Sequence, residues 1–358
     1  MNKINDLNIL EVRSLITPQS LKNEIPNSDD NKKFIYESRE IIKNILDKKD
    51  NRIMAIVGPC SIHNINSAIE YAQKLNNLSR KIIDKIYIIM RVYFEKPRTT
   101  LGWKGLITDP NLDNTYDIEK GLKLARKLLS EITKMGMPCA TEMLDPIILQ
   151  YMADFISWAA IGARTTESQT HRELASGLSF PVGFKNSTTG NIDIAANAII
   201  SSRQSHHFIG INKKGQTSIL RTAGNKYTHL ILRGSDKMPN YYEESIEAAE
   251  ETISKAGLNP AIIVDCSHGN SSKKYKRQKN VLKSVIDQKN NGNNSIKGFM
   301  LESNLVEGNQ KIQKDTNNLV YGQSITDACI GWQETEELLL NVYKNLILGK
   351  KEKISLKL

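Results

Sequence analysis

The sequence predicts a closed α/β barrel of the (β/α)8, or TIM barrel, class, with an N-terminal extension and one inserted β-hairpin. Short apolar runs recur eight times along the chain, and most of them precede a stretch with helical periodicity. Repeated strand-then-helix units form a parallel sheet covered by helices, and eight such units suggest that the sheet closes on itself. The length of 358 residues suits one such barrel with an added segment.

Residues 1–50 are predicted to form the polar extension, and residues 51–358 the barrel domain. Ile16-Thr17-Pro18 is a helix-start signal, and residues 34–46 have amphipathic spacing. We expect the extension to pack on a neighbouring element or a partner subunit and to serve oligomeric or regulatory contacts. The chain is therefore expected to be a homo-oligomer, a dimer or a tetramer.

The eight apolar runs are predicted as the barrel strands because each is short and rich in β-branched, aromatic or small residues. They occupy residues 53–57, 86–90, 137–140, 158–161, 181–184, 229–232, 261–264 and 298–301. Helical periodicity follows at 67–78, 118–135 and 241–256.

Two segments depart from the strand-then-helix order. Residues 207–211 and 216–221 are strand-like and flank Asn212-Lys213-Lys214-Gly215. This pattern predicts a β-hairpin at residues 206–222, before the sixth barrel strand. The Lys/Asn-rich stretches at 273–280 and 287–297 predict a solvated helix and a loop.

The formal charge of +10 has two interpretations. Nucleic-acid binding uses Lys and Arg to neutralise phosphates, but it also predicts aromatic residues interleaved with the charges. Aromatic residues are only 6% of the chain and lie mostly in apolar runs. We therefore expect no nucleic-acid partner and favour a pocket for small anions.

Other features bound the class of protein. No apolar run approaches the ~20 residues that a membrane span needs, and the N-terminus has no apolar signal core. We expect a cytoplasmic location and no membrane partner. The four cysteines form no CxxC pair, which argues against a disulfide framework.

Chemistry in a TIM barrel takes place at the C-terminal ends of the strands, and here those ends carry polar or reactive side chains. In chain order they are Cys60, Arg91, Thr141 with Glu142, Arg164, Lys185, Arg233, Asp265 to His268, and Glu302. Ordinary loop polarity would vary the sign and type of charge. Instead, four ends supply Arg or Lys, and others supply a thiol, an imidazole and carboxylates.

A thiol, an imidazole and two carboxylates form a candidate metal-binding set, namely Cys60, His268, Glu302 and Asp327. Together these groups suit a borderline divalent ion such as Mn²⁺, Fe²⁺ or Zn²⁺. Their separations in the sequence are large, so a structural role for each stays open, and a cysteine is often simply buried.

A second set consists of six cations, namely Arg91, Lys96, Arg98, Arg164, Lys185 and Arg233. Converging on one mouth, they would repel each other unless anions bound there. Arg binds phosphate and carboxylate through a planar fork, and Lys binds them as a point charge. The segment Lys96-Pro97-Arg98-Thr99-Thr100 is a candidate phosphate clamp, with a basic surface loop as the alternative.

These residues lie in motifs that resemble a known enzyme family. The motifs are Gly58-Pro-Cys-Ser-Ile-His63, Arg91-Val-Tyr-Phe-Glu-Lys-Pro-Arg-Thr-Thr100, Gly102-Trp-Lys-Gly105, Ile161-Gly-Ala-Arg-Thr-Thr-Glu-Ser168, Pro181-Val-Gly-Phe-Lys-Asn186, Asp265-Cys-Ser-His-Gly-Asn270, Glu302-Ser303, Glu307-Gly-Asn-Gln310 and Ser324-Ile-Thr-Asp-Ala-Cys-Ile-Gly-Trp332. In this order they resemble the short, bacterial type I class of 3-deoxy-D-arabino-heptulosonate 7-phosphate (DAHP) synthases. The resemblance covers nearly the whole chain.

The resemblance implies a reaction and a cofactor. The chain would condense phosphoenolpyruvate with D-erythrose 4-phosphate and water, giving DAHP and phosphate in the first step of the shikimate pathway to aromatic amino acids. One divalent metal ion would be held by Cys60, His268, Glu302 and Asp327.

The resemblance also implies roles for individual residues. The catalytic residues would be Lys96, Glu142, Lys185 and His268, with Glu142 positioning a water. Phosphoenolpyruvate would be bound by Arg91, Lys96, Arg164, Lys185 and Arg233, helped by the backbone at Gly162 and Ala163. Erythrose 4-phosphate would be bound by Pro97, Arg98 and Thr99.

Feedback inhibition by an aromatic amino acid is implied as well, at a site away from the mouth. The residues that resemble this site are Asp145, Gln150, Ser179, Phe208 and Ile219. The Asp145-Pro146 step and residues 210–212 with 215–216 most resemble the Tyr-inhibited form, so Tyr is favoured, although other stretches resemble the Trp-inhibited form. One departure lies beside Lys185, where Ser187 and Thr189 replace the Gly and Asp usual in the family.

Two other enzymatic interpretations stay open. Lys185, at the end of an apolar strand, could form a Schiff base as in a class I aldolase. The sister condensation with arabinose 5-phosphate is the second. The Lys96-Pro-Arg-Thr99 segment favours erythrose 4-phosphate, by resemblance.

Overall fold

The structure is a computed structural model that describes residues 4–313 and 315–348. Its strands are β1 (Ile53–Gly58), β2 (Ile86–Arg91), β3 (Cys139–Met143), β4 (Ile156–Ile161), β5 (Val182–Lys185), β6 (His207–Ile211), β7 (Thr217–Arg221), β8 (Thr228–Leu232), β9 (Ile262–Asp265), β10 (Ile296–Glu302), β11 (Val306–Asn309) and β12 (Gln323–Ser324). Eight of them close a parallel barrel in the order β1-β10-β9-β8-β5-β4-β3-β2. The predicted TIM barrel is confirmed, and each of the eight apolar runs overlaps one barrel strand.

The helices are α1 (Pro18–Glu24), α2 (Asp29–Leu46), α3 (Ile65–Ile82), α4 (Ile118–Lys134), α5 (Leu149–Met152), α6 (Gln169–Ser176), α7 (Asp193–Ser202), α8 (Glu243–Lys255), α9 (Gln278–Asn290) and α10 (Trp332–Asn345). The helix start at Ile16-Thr17-Pro18 is confirmed, because Thr17 Oγ1 accepts a hydrogen bond from Ser20 N at 3.1 Å and Pro18 occupies the first turn. None of the described helices is both long enough and apolar enough to span a bilayer.

The barrel interior is filled by inward-facing side chains that alternate along the strands. Met54, Tyr87 and Trp158 belong to this interior cluster. Ile42 and Ile45 of α2 join it, so this helix of the N-terminal extension packs against the N-terminal ends of the strands. The opposite end of the barrel, where the strands end, is where a functional site is expected.

The predicted hairpin is confirmed and precedes the sixth barrel strand. β6 and β7 pair antiparallel, with Phe208 opposite Leu220 and Ile209 opposite Ile219. Its turn contacts the extension, since Gln19 N donates to Lys213 O at 2.8 Å.

The assignment of residues 287–297 to a loop was wrong at both ends. Helix α9 continues to Asn290, and β10 begins at Ile296. Lys297 is buried in that strand, with 5% of its surface exposed. The last barrel strand therefore includes Lys297, which the Lys/Asn-rich composition predicted to be exposed to solvent.

Candidate active site

Three of the four candidate metal ligands meet at the C-terminal mouth of the barrel. One ligand atom from each of Cys60, Glu302 and Asp327 lies within 4.8 Å of the other two. The pairing of Gly58 with Glu302 brings Cys60, two residues beyond β1, beside the end of β10. Asp327 comes from the chain just after β12, and its Oδ2 accepts from Cys60 Sγ at 3.4 Å.

His268, the fourth candidate ligand, lies at the edge of this group. Its Nε2 is 3.8 Å from Glu302 Oε1, while its Nδ1 is 2.9 Å from Asp265 Oδ2. A carboxylate on one ring nitrogen orients the imidazole and leaves the other nitrogen for a ligand. His268 also has a φ of 55°, a left-handed conformation that is uncommon outside glycine and clusters at functional sites.

The ammonium of Lys96 lies among these donors. Its Nζ donates to Cys60 Sγ at 3.0 Å and is 3.8 Å from Asp327 Oδ2. Burial raises the pKa of Cys60 to about 12, Glu302 acts in the same direction and Lys96 opposes both. The ammonium of Lys96 already brings one positive charge to these donor atoms, so the set fits a divalent cation. Such an ion would favour the thiolate form of Cys60.

The cationic set divides by burial. Arg91, Lys185 and Arg233 are buried, whereas Arg164 is exposed. Arg91 Nη2 is 3.1 Å from Glu302 Oε1, and Lys185 Nζ is 3.1 Å from Asp265 Oδ2. Arg91 and Lys185 therefore face the same mouth.

Two of the buried guanidinium groups keep an unsatisfied edge. Arg91 Nη1 and Arg233 Nη1 have no hydrogen-bond partner among residues 4–313 and 315–348. Burial lowers the pKa of Arg233, and nearby Arg164 acts in the same direction, so these two cations are neighbours. Buried donors left unpaired are costly, which indicates a binding place for anions.

A close approach holds Glu142 against the turn after β4. A Cβ on Gly162 would lie only 2.5 Å from Glu142 Oε1, so a side chain there would displace the carboxylate. Ala163 and Arg164 follow in the same turn.

The candidate phosphate clamp is a loop at the rim of the mouth. Arg98 and Thr99 are exposed, and Pro97 is half-buried. Arg98 Nε donates to Trp103 O at 2.8 Å, which fixes the arginine within its own loop. Burial raises the pKa of Asp327, but Lys96, His268 and, more weakly, Arg98 lower it below its usual value, so Arg98 is close enough to act on the metal-ligand set.

A sequence profile of the DAHP synthetase I family matches residues 24–340. The chain is 50% identical over 343 residues to the "Phospho-2-dehydro-3-deoxyheptonate aldolase, Tyr-sensitive" of Salmonella typhimurium, covering 96% of each. It is also 50% identical to the Trp-sensitive enzyme of Enterobacter agglomerans, covering 95% of this chain and 97% of that protein. The chain belongs to the DAHP synthetase I family.

A solved structure agrees with this membership. The phospho-2-dehydro-3-deoxyheptonate aldolase of Francisella tularensis SCHU S4 superposes with a TM-score of 0.92 at 49% identity, covering 95% of this chain and 98% of that one. The family resemblance stated from the motifs is confirmed. As a DAHP synthase, the chain condenses phosphoenolpyruvate with erythrose 4-phosphate.

The structure brings the elements that carry the candidate effector residues of this DAHP synthase to one side of the barrel. Tyr151 of α5, beside Gln150, donates to Ile16 O at 2.7 Å, and the hairpin turn contacts α1. Asp145 caps the turn that leads into α5, through Ile147 N at 2.7 Å. Ser179 is exposed, shortly after α6.

The hairpin does not bring Phe208 and Ile219 together. Directly opposed residues share a face of an antiparallel pair, and Phe208 opposes Leu220. Ile219 points to the other face, with 81% of its surface exposed. Leu220, rather than Ile219, shares the half-buried face with Phe208.

Three residues of this DAHP synthase site have roles that their sequence context does not predict. Asp265 contacts both Lys185 and His268. The sequence feature that points to it is its position as a charged residue at the end of an apolar run. Tyr93 contacts Arg91 and looked like one more apolar residue of its motif. Gln278 contacts the main chain of Glu302 from α9, and no pattern in the sequence pointed to it.

Proposed function

We propose that this DAHP synthase uses one divalent metal ion, held by Cys60, His268, Glu302 and Asp327, and binds both substrates above it in the cationic mouth. One observation carries the proposal. The metal-ligand donors and the unpartnered edges of Arg91 and Arg233 lie at the same end of the barrel.

Phosphoenolpyruvate fits the buried cations. Arg91, Lys185 and Arg233 offer positive charge from three strand ends, and Arg164 adds a further guanidinium from the turn after β4. Lys96, together with the backbone at Gly162 and Ala163, completes this set. Because the substrate carries a carboxylate and a phosphate, it would neutralise these cations and be fixed in the geometry for attack.

Erythrose 4-phosphate is placed at the rim. Pro97, Arg98 and Thr99 offer a rigid turn, a guanidinium and a hydroxyl to its phosphate. Its aldehyde would then point into the mouth, towards Cys60 and Asp327. Lewis-acid polarisation of that aldehyde is the chemistry that a divalent ion supplies at such a site.

The remaining steps use side chains of the chain itself. The terminal methylene carbon of phosphoenolpyruvate attacks the aldehyde carbon, and the aldehyde oxygen takes a proton as it becomes a hydroxyl. Lys96 is the ammonium closest to the metal-ligand set and is placed to donate that proton. Glu142 then orients the water that adds to the adjacent carbon, which carries the phosphate and the carboxylate. The bond from that carbon to the phosphate oxygen breaks, so phosphate leaves and a ketone forms. One proton of the water restores the Lys96 ammonium, and the other leaves with the phosphate.

A Schiff base at Lys185 has little support. The ammonium of Lys185 forms an ion pair with Asp265, which is itself fully buried. A lysine nucleophile needs a free amine, whereas the amine of Lys185 is engaged in this ion pair.

Three further properties are part of the proposal. Apolar side chains exposed along residues 4–12 support a homo-oligomer, a dimer or tetramer. The Tyr-sensitive relative supports an aromatic amino-acid inhibitor, with Tyr favoured. Four free, buried cysteines and phosphorylated substrates support a cytoplasmic location.

Phosphate release tests the function. With both substrates and added Mn²⁺, the protein is expected to release phosphate, and a chelator is expected to abolish the release. Replacing erythrose 4-phosphate with arabinose 5-phosphate should give little phosphate release. Sustained release with chelator present would contradict the metal requirement, and borohydride inactivation with substrate would favour the Schiff base.

A matched cysteine pair tests the ligand assignment. Cys60→Ser is expected to lose bound metal and to lower the rate by at least about 100-fold, since a ligand of the ion is replaced. Cys139→Ser removes an equally buried thiol that faces the surrounding helices and should retain its metal. Equal metal content in the two variants would refute the role of Cys60.

A further inference from the structure

Tyr93 lies at the mouth, two residues beyond the end of β2. Side chains alternate along a strand, and Tyr87, Ile89 and Tyr93 all belong to the cluster that fills the barrel interior. Arg91 has the same parity and faces the mouth through its contact with Glu302. Tyr93 therefore points inward directly above Arg91, with 1% of its surface exposed.

The tyrosine ring supports the guanidinium of Arg91. Arg91 Cζ lies 4.2 Å from the centroid of the ring, within the range of a cation–π contact. The two side chains therefore form one unit at the base of the mouth.

The hydroxyl of Tyr93 has no hydrogen-bond partner in the described part of the chain, and neither has Arg91 Nη1. A buried tyrosine hydroxyl usually finds a partner, and leaving one unpaired is costly. Two unpaired donors on contacting side chains are both satisfied if one acceptor enters the site between them.

The surroundings favour the protonated, donating form of the hydroxyl. Burial raises the pKa of Tyr93 above its usual value; Arg91 opposes this, and Glu142, Asp265 and Glu302 act in the same direction as burial. These three acids come from β3, β9 and β10, so the phenol faces the centre of the mouth. A neutral phenol there is a hydrogen-bond donor.

We propose that Tyr93 is a substrate-binding residue, whose hydroxyl donates a hydrogen bond to the phosphoenolpyruvate anion that also contacts Arg91 Nη1. The inference rests on the proposed function, because it takes phosphoenolpyruvate as the anion. It adds a neutral donor to a set that otherwise consists of cations and backbone. The ring has a second role, which is to hold the guanidinium in position.

Tyr93→Phe tests the proposal because it removes the hydroxyl and keeps the ring under Arg91. Phosphoenolpyruvate binding, measured by equilibrium dialysis without the second substrate, is expected to weaken by about 10- to 100-fold, as for loss of a hydrogen bond to a charged group. The KM for phosphoenolpyruvate should rise to match. The KM for erythrose 4-phosphate and the metal content should be unchanged.

Tyr87→Phe is the matched control. Tyr87 also faces the interior from β2, and its ring lies under a guanidinium, with Arg52 Cζ 5.3 Å from the centroid. It lies at the opposite end of the barrel, so its removal should leave phosphoenolpyruvate binding unchanged.

Thermal unfolding without substrate separates a binding role from a structural one. Tyr93→Phe is expected to unfold at or above the temperature of the wild-type protein, because the lost hydroxyl had no partner. The proposal would be overturned if Tyr93→Phe bound phosphoenolpyruvate with wild-type affinity. It would also be overturned if Tyr93→Phe, without substrate, failed to fold or was less stable than Tyr87→Phe. A wild-type protein that neither binds phosphoenolpyruvate nor releases phosphate would instead refute the proposed function.

Discussion

Buried charges at the mouth are balanced only in part by one another. Burial would raise the pKa of Asp265, but His268 and Lys185 hold it well below its usual value. Asp265 is therefore a negative charge that is held in place beside Lys185 and His268. Arg91 and Arg233 retain unpaired edges, so the balance is completed only when an anion binds.

Lys297 shows the opposite situation, a buried cation with like charges nearby. Burial lowers its pKa to about 7, and Lys289 and Lys48 act in the same direction. An unfolded chain has its lysines near a pKa of about 10.4. Between these two values the unfolded state binds more protons than the folded state, so this residue makes stability rise with pH.

Lys297→Met is expected to stabilise the protein by about 1–3 kcal/mol near pH ~6, because the cost of burying a charge disappears. The gain should shrink towards pH ~10, where the lysine is neutral in the folded state and begins to lose its proton in the unfolded state. Chemical denaturation across this pH range measures both values. Lys283→Met, on the exposed face of α9, should change stability by no more than about 0.5 kcal/mol, and a loss of stability in Lys297→Met would contradict the argument.

At the scale of elements, the junction between α9 and β10 fixes the main chain of one proposed metal ligand. Gln278, the first residue of α9, is fully buried. Its Nε2 donates to Glu302 O at 3.0 Å, and its Oε1 accepts from Glu302 N at 2.8 Å. This two-point contact holds the main chain of the residue whose carboxylate faces Cys60.

Gln278→Ala is expected to weaken metal binding by about 10- to 100-fold, as for other residues that orient a ligand. Metal titration of the purified variant gives the affinity. Gln288→Ala is the control on the same helix, since that buried glutamine donates to Tyr241 O at 2.8 Å and touches no part of the mouth. If both variants bound metal equally well, the contact with Glu302 would have no positioning role.

At the scale of the whole molecule, the N-terminal segment exposes an unusual amount of apolar surface. Ile4, Leu7, Ile9, Leu10 and Val12 are all largely exposed, within one short stretch. Contiguous apolar surface of this kind marks an interaction site. The same extension continues into α1 and α2, which contact the hairpin and the barrel.

Leu10→Asp combined with Val12→Asp is expected to weaken self-association, because a buried unpaired charge is unfavourable at an interface. Sedimentation equilibrium should show a smaller assembly at a given concentration. Ile83→Asp, a single exposed apolar residue at the end of α3, should leave the assembly intact. An unchanged assembly in the double variant would place the interface elsewhere.

Strand positions could be predicted because barrel strands are buried on both faces and so form short apolar runs. The convergence of Cys60 and Glu302 followed, since parallel strands end on the same side. The burial of Lys297 could not be predicted, because it follows a polar, Asn-rich stretch and only the closed sheet buries it. The faces of Phe208 and Ile219 depend on the pairing of β6 with β7, which the turn sequence does not determine.

Cys60 follows the first barrel strand and Glu302 ends the last, and these two strands are neighbours in the closed sheet. These two proposed metal ligands thus lie on either side of the seam at which the barrel is completed. An ion bound there would hold the first and last strands together. Because it would bind only the closed barrel, it would stabilise that form by about 2.7 kcal/mol when the ion concentration is a hundred times its dissociation constant. During synthesis, the chain could not hold the ion until its final strand had docked, so metal occupancy would report that folding is complete.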